Sequence, residues 1–126
     1  MAFVLIIDDN PQNLQFMTYL LTALGYRTKS AASIADGLEL VSDADPPQLI
    51  ISDLNLPARS GFDLLKTVRA RPALDNTPCV ILSATSRSES DVEAALRLGA
   101  AKFIHRPLEP QELLAELGPY LPDRMN

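Results

Sequence analysis

The sequence predicts a doubly wound α/β fold with one parallel sheet, on three observations. Five short β-like segments alternate strictly with five helix-like ones. Three of the β segments are unbroken apolar runs, which fit strands of a parallel sheet covered on both faces. The connections are short, and right-handed crossovers then put helices on both sides of the sheet.

The first strand is Phe3–Ile7 (FVLII). Asn10 caps the first helix and Pro11 takes its first position. Leu14, Met17, Leu20, Leu21 and Leu24 then make one apolar stripe, and Gly25 stops it. Arg27–Ala31 (RTKSA) is more polar and suits an edge strand. Ser33 caps a second helix through Leu38 and Val41, weakened by Gly37, and Asp45-Pro46-Pro47 forces a turn. Leu49–Ser52 (LIIS) is the third strand, and a third helix runs from about Gly61 to Ala70, before Pro72. Cys79–Ser83 (CVILS) is the fourth strand, followed by a helix from Ser88 to Leu98 that Gly99 stops. Ala101–His105 (AKFIH) alternates and suits the other edge; a fifth helix runs from Glu109-Pro110 towards Leu117.

The 126 residues read as one domain, residues 1–126, with a single core. A net charge of −5, with Lys and Arg scattered singly, argues against a nucleic-acid binder and against a membrane-surface helix. One cysteine, Cys79, rules out an intrachain disulfide and a Cys-based zinc site, and fits a reducing cytosol. The apolar start is too short for a leader's apolar core or a membrane span. The expectation is a cytoplasmic protein that binds neither nucleic acid nor membrane. Little of the chain follows the fifth helix, which fits a stand-alone domain or a piece of a longer protein.

A sheet of this kind binds its ligand beyond the carboxyl ends of its central strands. Those ends carry Asp8, Asp9 and Asn10 after the first strand, Asp53 and Asn55 after the third, Ser83 at the fourth and Arg106 after the fifth. If the three apolar runs are neighbours, Asp8, Asp9 and Asp53 converge, with a hydroxyl and a cation at the rim. Each acid alone is explained by helix capping or solvation. Three together repel, and a hard divalent cation such as Mg²⁺ removes the conflict. No glycine-rich phosphate loop follows the first strand, so phosphate arrives here only with a metal. A carboxylate beside Mg²⁺ can then take a phosphoryl group as an acyl phosphate.

The segments IIDDN, IISDLNLPARSGFDLL, TPCVILSAT and LGAAKFIHRPL, in that order, resemble the receiver domains of two-component response regulators, from about Val4 to Leu117. The resemblance implies a flavodoxin-like sheet of order 2-1-3-4-5, and Asp53 as acceptor of a phosphoryl group from a histidine kinase or phosphotransfer protein. It implies Mg²⁺ on the carboxylates of Asp9 and Asp53 and the Asn55 backbone carbonyl, with Asp8 nearby or acting through water. Ser83 matches the hydroxyl that turns towards the phosphoryl group, and Phe103 the aromatic ring that moves with it. Pro57 and Gly61 match the tight loop after the acceptor, and Ala84 a small position beside the hydroxyl. The output is then a surface of the fourth helix, fifth strand and fifth helix, which biases an unidentified partner.

One position departs from the pattern: Arg106 stands where the family has lysine, before a proline whose preceding peptide is cis in the family. Arginine keeps the charge but is longer and planar. This raises a second reading, an interaction module that signals without phosphorylation. A third, a phosphohydrolase with an aspartyl nucleophile, lacks its D-x-D after the first strand. Among the remaining residues, His105 is expected at a partner-facing surface, Cys79 in the core, and Thr85 and Arg59 beside the pocket.

Overall fold

A computed structural model describes residues 2–85 and 88–122; the short tail at 123–126 lies outside them. Strands β1 (Val4–Ile7), β2 (Thr28–Ala31), β3 (Leu49–Asp53), β4 (Cys79–Ser83) and β5 (Lys102–His105) form one parallel sheet in the order β2-β1-β3-β4-β5. Helices α1 (Pro11–Ala23) and α5 (Pro110–Leu117) cover one face, and α2 (Ile34–Glu39), α3 (Gly61–Arg69) and α4 (Glu89–Arg97) the other. The order is the one the resemblance implies, and the polar second and alternating fifth segments are the edges.

The unbroken runs have a simple cause. Successive strand residues point to opposite faces, and here both faces are core. Leu5, Ile7, Ile50 and Ile81 pack with Ile34, Leu64, Leu65 and Val68. Their neighbours Val4, Ile6, Ile51 and Leu82 pack with Met17, Leu21, Leu113 and Leu117 on the other side. Each fully buried Leu or Ile contributes about 1.5–3 kcal/mol relative to an exposed one, so a polar residue in these runs would be costly.

Most element ends fall within a residue or two of expectation. The second helix is shorter than expected, because its last turn tightens: the N–H groups of Leu40 and Val41 donate to Gly37 and Leu38 carbonyls three residues back. Val41 then turns into the core. Gly37 has a use beyond weakening the helix, since a Cβ there would lie 2.6 Å from Ile7 Cδ1. Its absence lets α2 lie against β1.

At the first helix Asn10 Oδ1 accepts from the N–H groups of Gln12 (2.9 Å) and Asn13 (3.1 Å), with Pro11 at the first position. Asn10→Ala leaves both donors without the cap and is expected to cost about 1 kcal/mol. A urea denaturation midpoint reads this, and an unchanged midpoint would show that the cap is redundant. Among the described residues no helix is long and apolar enough to cross a membrane.

Candidate functional site

The carboxyl ends of four strands meet at one edge of the sheet. Ile7 pairs with Ser52, Asp53 with Leu82 and Ser83 with His105, so the tips of β1, β3, β4 and β5 stand side by side. The first residues beyond β1 are Asp8 and Asp9, and the first beyond β5 is Arg106. One carboxylate oxygen from each of Asp8, Asp9 and Asp53 lies within 4.8 Å of the others.

Arg106 joins this cluster from the end of the outer strand β5. Its Nη2 donates to Asp8 Oδ2 at 2.8 Å and stands 3.9 Å from Asp53 Oδ2. The second Asp8 oxygen, Oδ1, accepts from the Asn10 N–H at 2.9 Å. Asp8 is buried, Asp9 exposed and Asp53 half-buried. The backbone holds the cluster: Asp8 N–H donates to Ala31 (3.1 Å), Leu54 N–H to Leu82 (2.8 Å) and Arg106 N–H to Ser83 (2.8 Å).

These surroundings move the titration of Asp53. Burial pushes its carboxyl above the usual 3.8; Arg106 pulls it down, and Asp8 pushes it up. The N–H groups of Asn55 and Leu54 favour the charged form. Three carboxylates thus cluster with the Arg106 guanidinium beside two of them, and an all-oxygen donor set with excess negative charge suits a hard cation. The residues present fit Mg²⁺.

The family model for the response regulator receiver domain matches residues 4–118. The chain belongs to the response regulator receiver family. It is 37% identical over 117 residues to the transcriptional regulatory protein KdpE of Mycobacterium tuberculosis, spanning 93% of this chain and 50% of that one. It is 32% identical over 111 residues to an uncharacterized 14.6 kDa protein of Leptolyngbya boryana, covering 88% of this chain and 83% of that one. The chain therefore spans half the length of KdpE and most of the shorter relative. The chemotaxis response regulator CheY4 of Vibrio cholerae superposes with a TM-score of 0.86 at 31% identity, over 96% of this chain and 99% of that one. Receiver domains are signalling phosphoacceptors that bind Mg²⁺ in an acidic pocket and interact with histidine kinases and output domains.

Other receiver positions lie on β4 and β5. Ser83 is buried at the tip of β4. Phe103, two residues before His105 on the same strand face, is buried among Ile81, Ala95 and Ala100. His105 is half-buried, its ring 5.2 Å from that of Phe103 and tilted by 56°. It is thus partly packed against the aromatic position and partly exposed. The Arg106-Pro107 peptide is cis, where sequence alone favours trans. Cys79 is buried, as expected, and burial raises its thiol pKa against the opposing effect of Arg69.

Two features of this receiver were not read from the sequence. Asn55 Nδ2 donates to Thr85 Oγ1 at 2.6 Å, which ties the loop after β3 to the loop after β4. Arg59, by contrast, lies along α3 with Nη2 on Thr67 Oγ1 at 3.0 Å. Between Pro57 and Arg59, Ala58 takes φ 67°, and the Arg59 N–H closes a three-residue turn on Pro57 O at 2.7 Å. No glycine marks this turn.

Proposed function

We propose that Asp53 accepts a phosphoryl group from a phosphohistidine of a histidine kinase or phosphotransfer protein. A carboxylate oxygen of Asp53 attacks phosphorus; the new P–O bond forms as the P–N bond to imidazole breaks, and the imidazole nitrogen keeps the electron pair. The observation that supports this reading is the convergence of three acid oxygens within 4.8 Å with a guanidinium 3.9 Å from Asp53. Asp9, Asp53 and the Asn55 carbonyl would hold Mg²⁺, with Asp8 beside it or linked through water. The ion would offset charge on the phosphoryl oxygens.

The chain's own residues supply the rest. Asp53 must be ionised to attack; Arg106 and the neighbouring N–H groups keep its carboxyl from rising as far as burial alone would drive it. Ser83 and Arg106 then donate to the phosphoryl oxygens, and Phe103 follows Ser83, which biases the α4-β5-α5 surface between two shapes. The interaction-module reading gains no support, because Arg106 keeps a cation at the position where the family has one.

Intact-mass measurement with phosphoramidate and Mg²⁺ tests the proposal. The expected result is the gain of one phosphoryl group, suppressed by a chelator. An unchanged mass in the presence of Mg²⁺ would overturn it.

A further inference from the structure

Each oxygen of the Asp8 carboxylate already accepts a hydrogen bond from the protein. Asp8 Oδ1 accepts from the Asn10 N–H at 2.9 Å, and Oδ2 from Arg106 Nη2 at 2.8 Å. The same Nη2 stands 3.9 Å from Asp53 Oδ2, so the guanidinium lies against the space between the two acids. A divalent cation bound to these carboxylates at about 2.0–2.1 Å would share that space with a fixed positive charge. The two cations repel, and at this half-buried position water screens them poorly.

Two further observations concern Arg106 itself. Its Nε is buried and has no hydrogen-bond partner. The guanidinium is therefore not locked in place by its inner N–H. Beside it opens a cavity of about 270 Å³ between β1, α1 and the β5-α5 loop, lined by Asp8, Asn13, Phe16, Arg106, Pro107 and Leu108 among others. A water's share of liquid is about 30 Å³, so this space can take a displaced guanidinium.

We propose that Arg106 and a divalent cation compete for Asp8, so that Mg²⁺ entry requires the guanidinium to leave Asp8 for the adjoining cavity. Arg106 is then a built-in counter-ion that sets the Mg²⁺ concentration at which the site loads. The inference rests on the Mg²⁺-dependent reading given above. It also gives a consequence to the departure from lysine: the planar, longer side chain spans from the tip of β5 to the acid after β1, on the far side of β3.

Calorimetric titration with Mg²⁺ alone, with no phosphoryl donor, tests the competition in wild type, Arg106→Gln and Arg106→Lys. The side-chain Nε–H resonance of Arg106, identified by its loss in Arg106→Lys, reports on the guanidinium. Arg106→Gln is expected to bind Mg²⁺ about ten-fold tighter than wild type, in the usual range for coupled sites. The Arg106 Nε–H resonance is expected to shift along the same binding curve as the heat. Circular dichroism establishes that each variant is folded, and the wild-type resonance alone decides the question if Arg106→Gln is not. Mg²⁺ binding with an unmoved resonance, or equal or weaker binding by folded Arg106→Gln, overturns the competition and leaves the phosphoacceptor reading standing. No Mg²⁺ binding by any of the three proteins overturns both.

Discussion

Asp53→Asn abolishes phosphoryl acceptance and, at neutral pH, makes the fold more stable. The first effect follows from chemistry: an amide oxygen is a far weaker nucleophile than a carboxylate and cannot form the acyl phosphate. The second follows from burial. The folded protein raises the Asp53 carboxyl above 3.8, because burial, with a smaller push from Asp8, outweighs the opposing Arg106. Between 3.8 and the raised folded value the native state binds more protons than the unfolded chain. Stability therefore falls as pH rises through that window, and the full penalty is present above it. Asparagine carries no such penalty, while its carbonyl can still accept from the N–H groups that favour the charged aspartate. Urea midpoints of both proteins should show the variant ahead at pH 7 and the gap closing as pH falls towards 3.8. A variant no more stable than wild type at neutral pH, or a gap independent of pH, would show that the site does not hold Asp53 under strain.

That strain could be read only in part from the sequence. Asp8, Asp9 and Asp53 each follow an apolar run, and a parallel sheet lines up the ends of its strands, so their convergence needs only the adjacency of β1 and β3. The caps at Asn10, Ser33, Ser60 and Ser88 are local, each bonded two or three residues on, and a local pattern suffices for them. Arg106 is different. Its charge and its place after β5 were legible, but not that it reaches Asp8 at 2.8 Å in preference to Asp53 at 3.9 Å. That choice depends on the path of a long side chain over β4 and β3. The Asn55–Thr85 bond joins residues thirty apart through two loops, and neither loop carries a pattern that fixes its partner. The positive φ of Ala58 has no signal either, since alanine rarely adopts it.

Gly61→Val is expected to lower stability by about 1–3 kcal/mol, as overpacked sites do, and to slow phosphoryl acceptance as well. Gly61 opens α3 beneath the acceptor loop. A Cβ there would lie 3.1 Å from Leu54 Cα, 3.2 Å from the Asp53 carbonyl oxygen and 3.3 Å from Ile81 Cδ1. Two of these three are backbone atoms at the end of β3, which cannot rotate away as a side chain can. Valine, with two further methyl groups, must push either α3 outwards or the strand end backwards. The first loosens the Ser60–Asp63 capping box, in which each residue bonds the other's backbone N–H. The second shifts the residue that carries the nucleophile. Gly118→Ala is the control, because nothing lies within 4 Å of a Cβ at that position and its backbone is helical. It should leave both readouts unchanged. Urea midpoints report the stability loss, and the rate of mass gain with phosphoramidate and Mg²⁺ reports the displacement, measured where circular dichroism shows the variant folded. A folded Gly61→Val protein phosphorylated at the wild-type rate would mean that α3 yields and the strand end does not. The close contact would then set stability alone, and the position of Asp53 would be fixed by its pairing with β4.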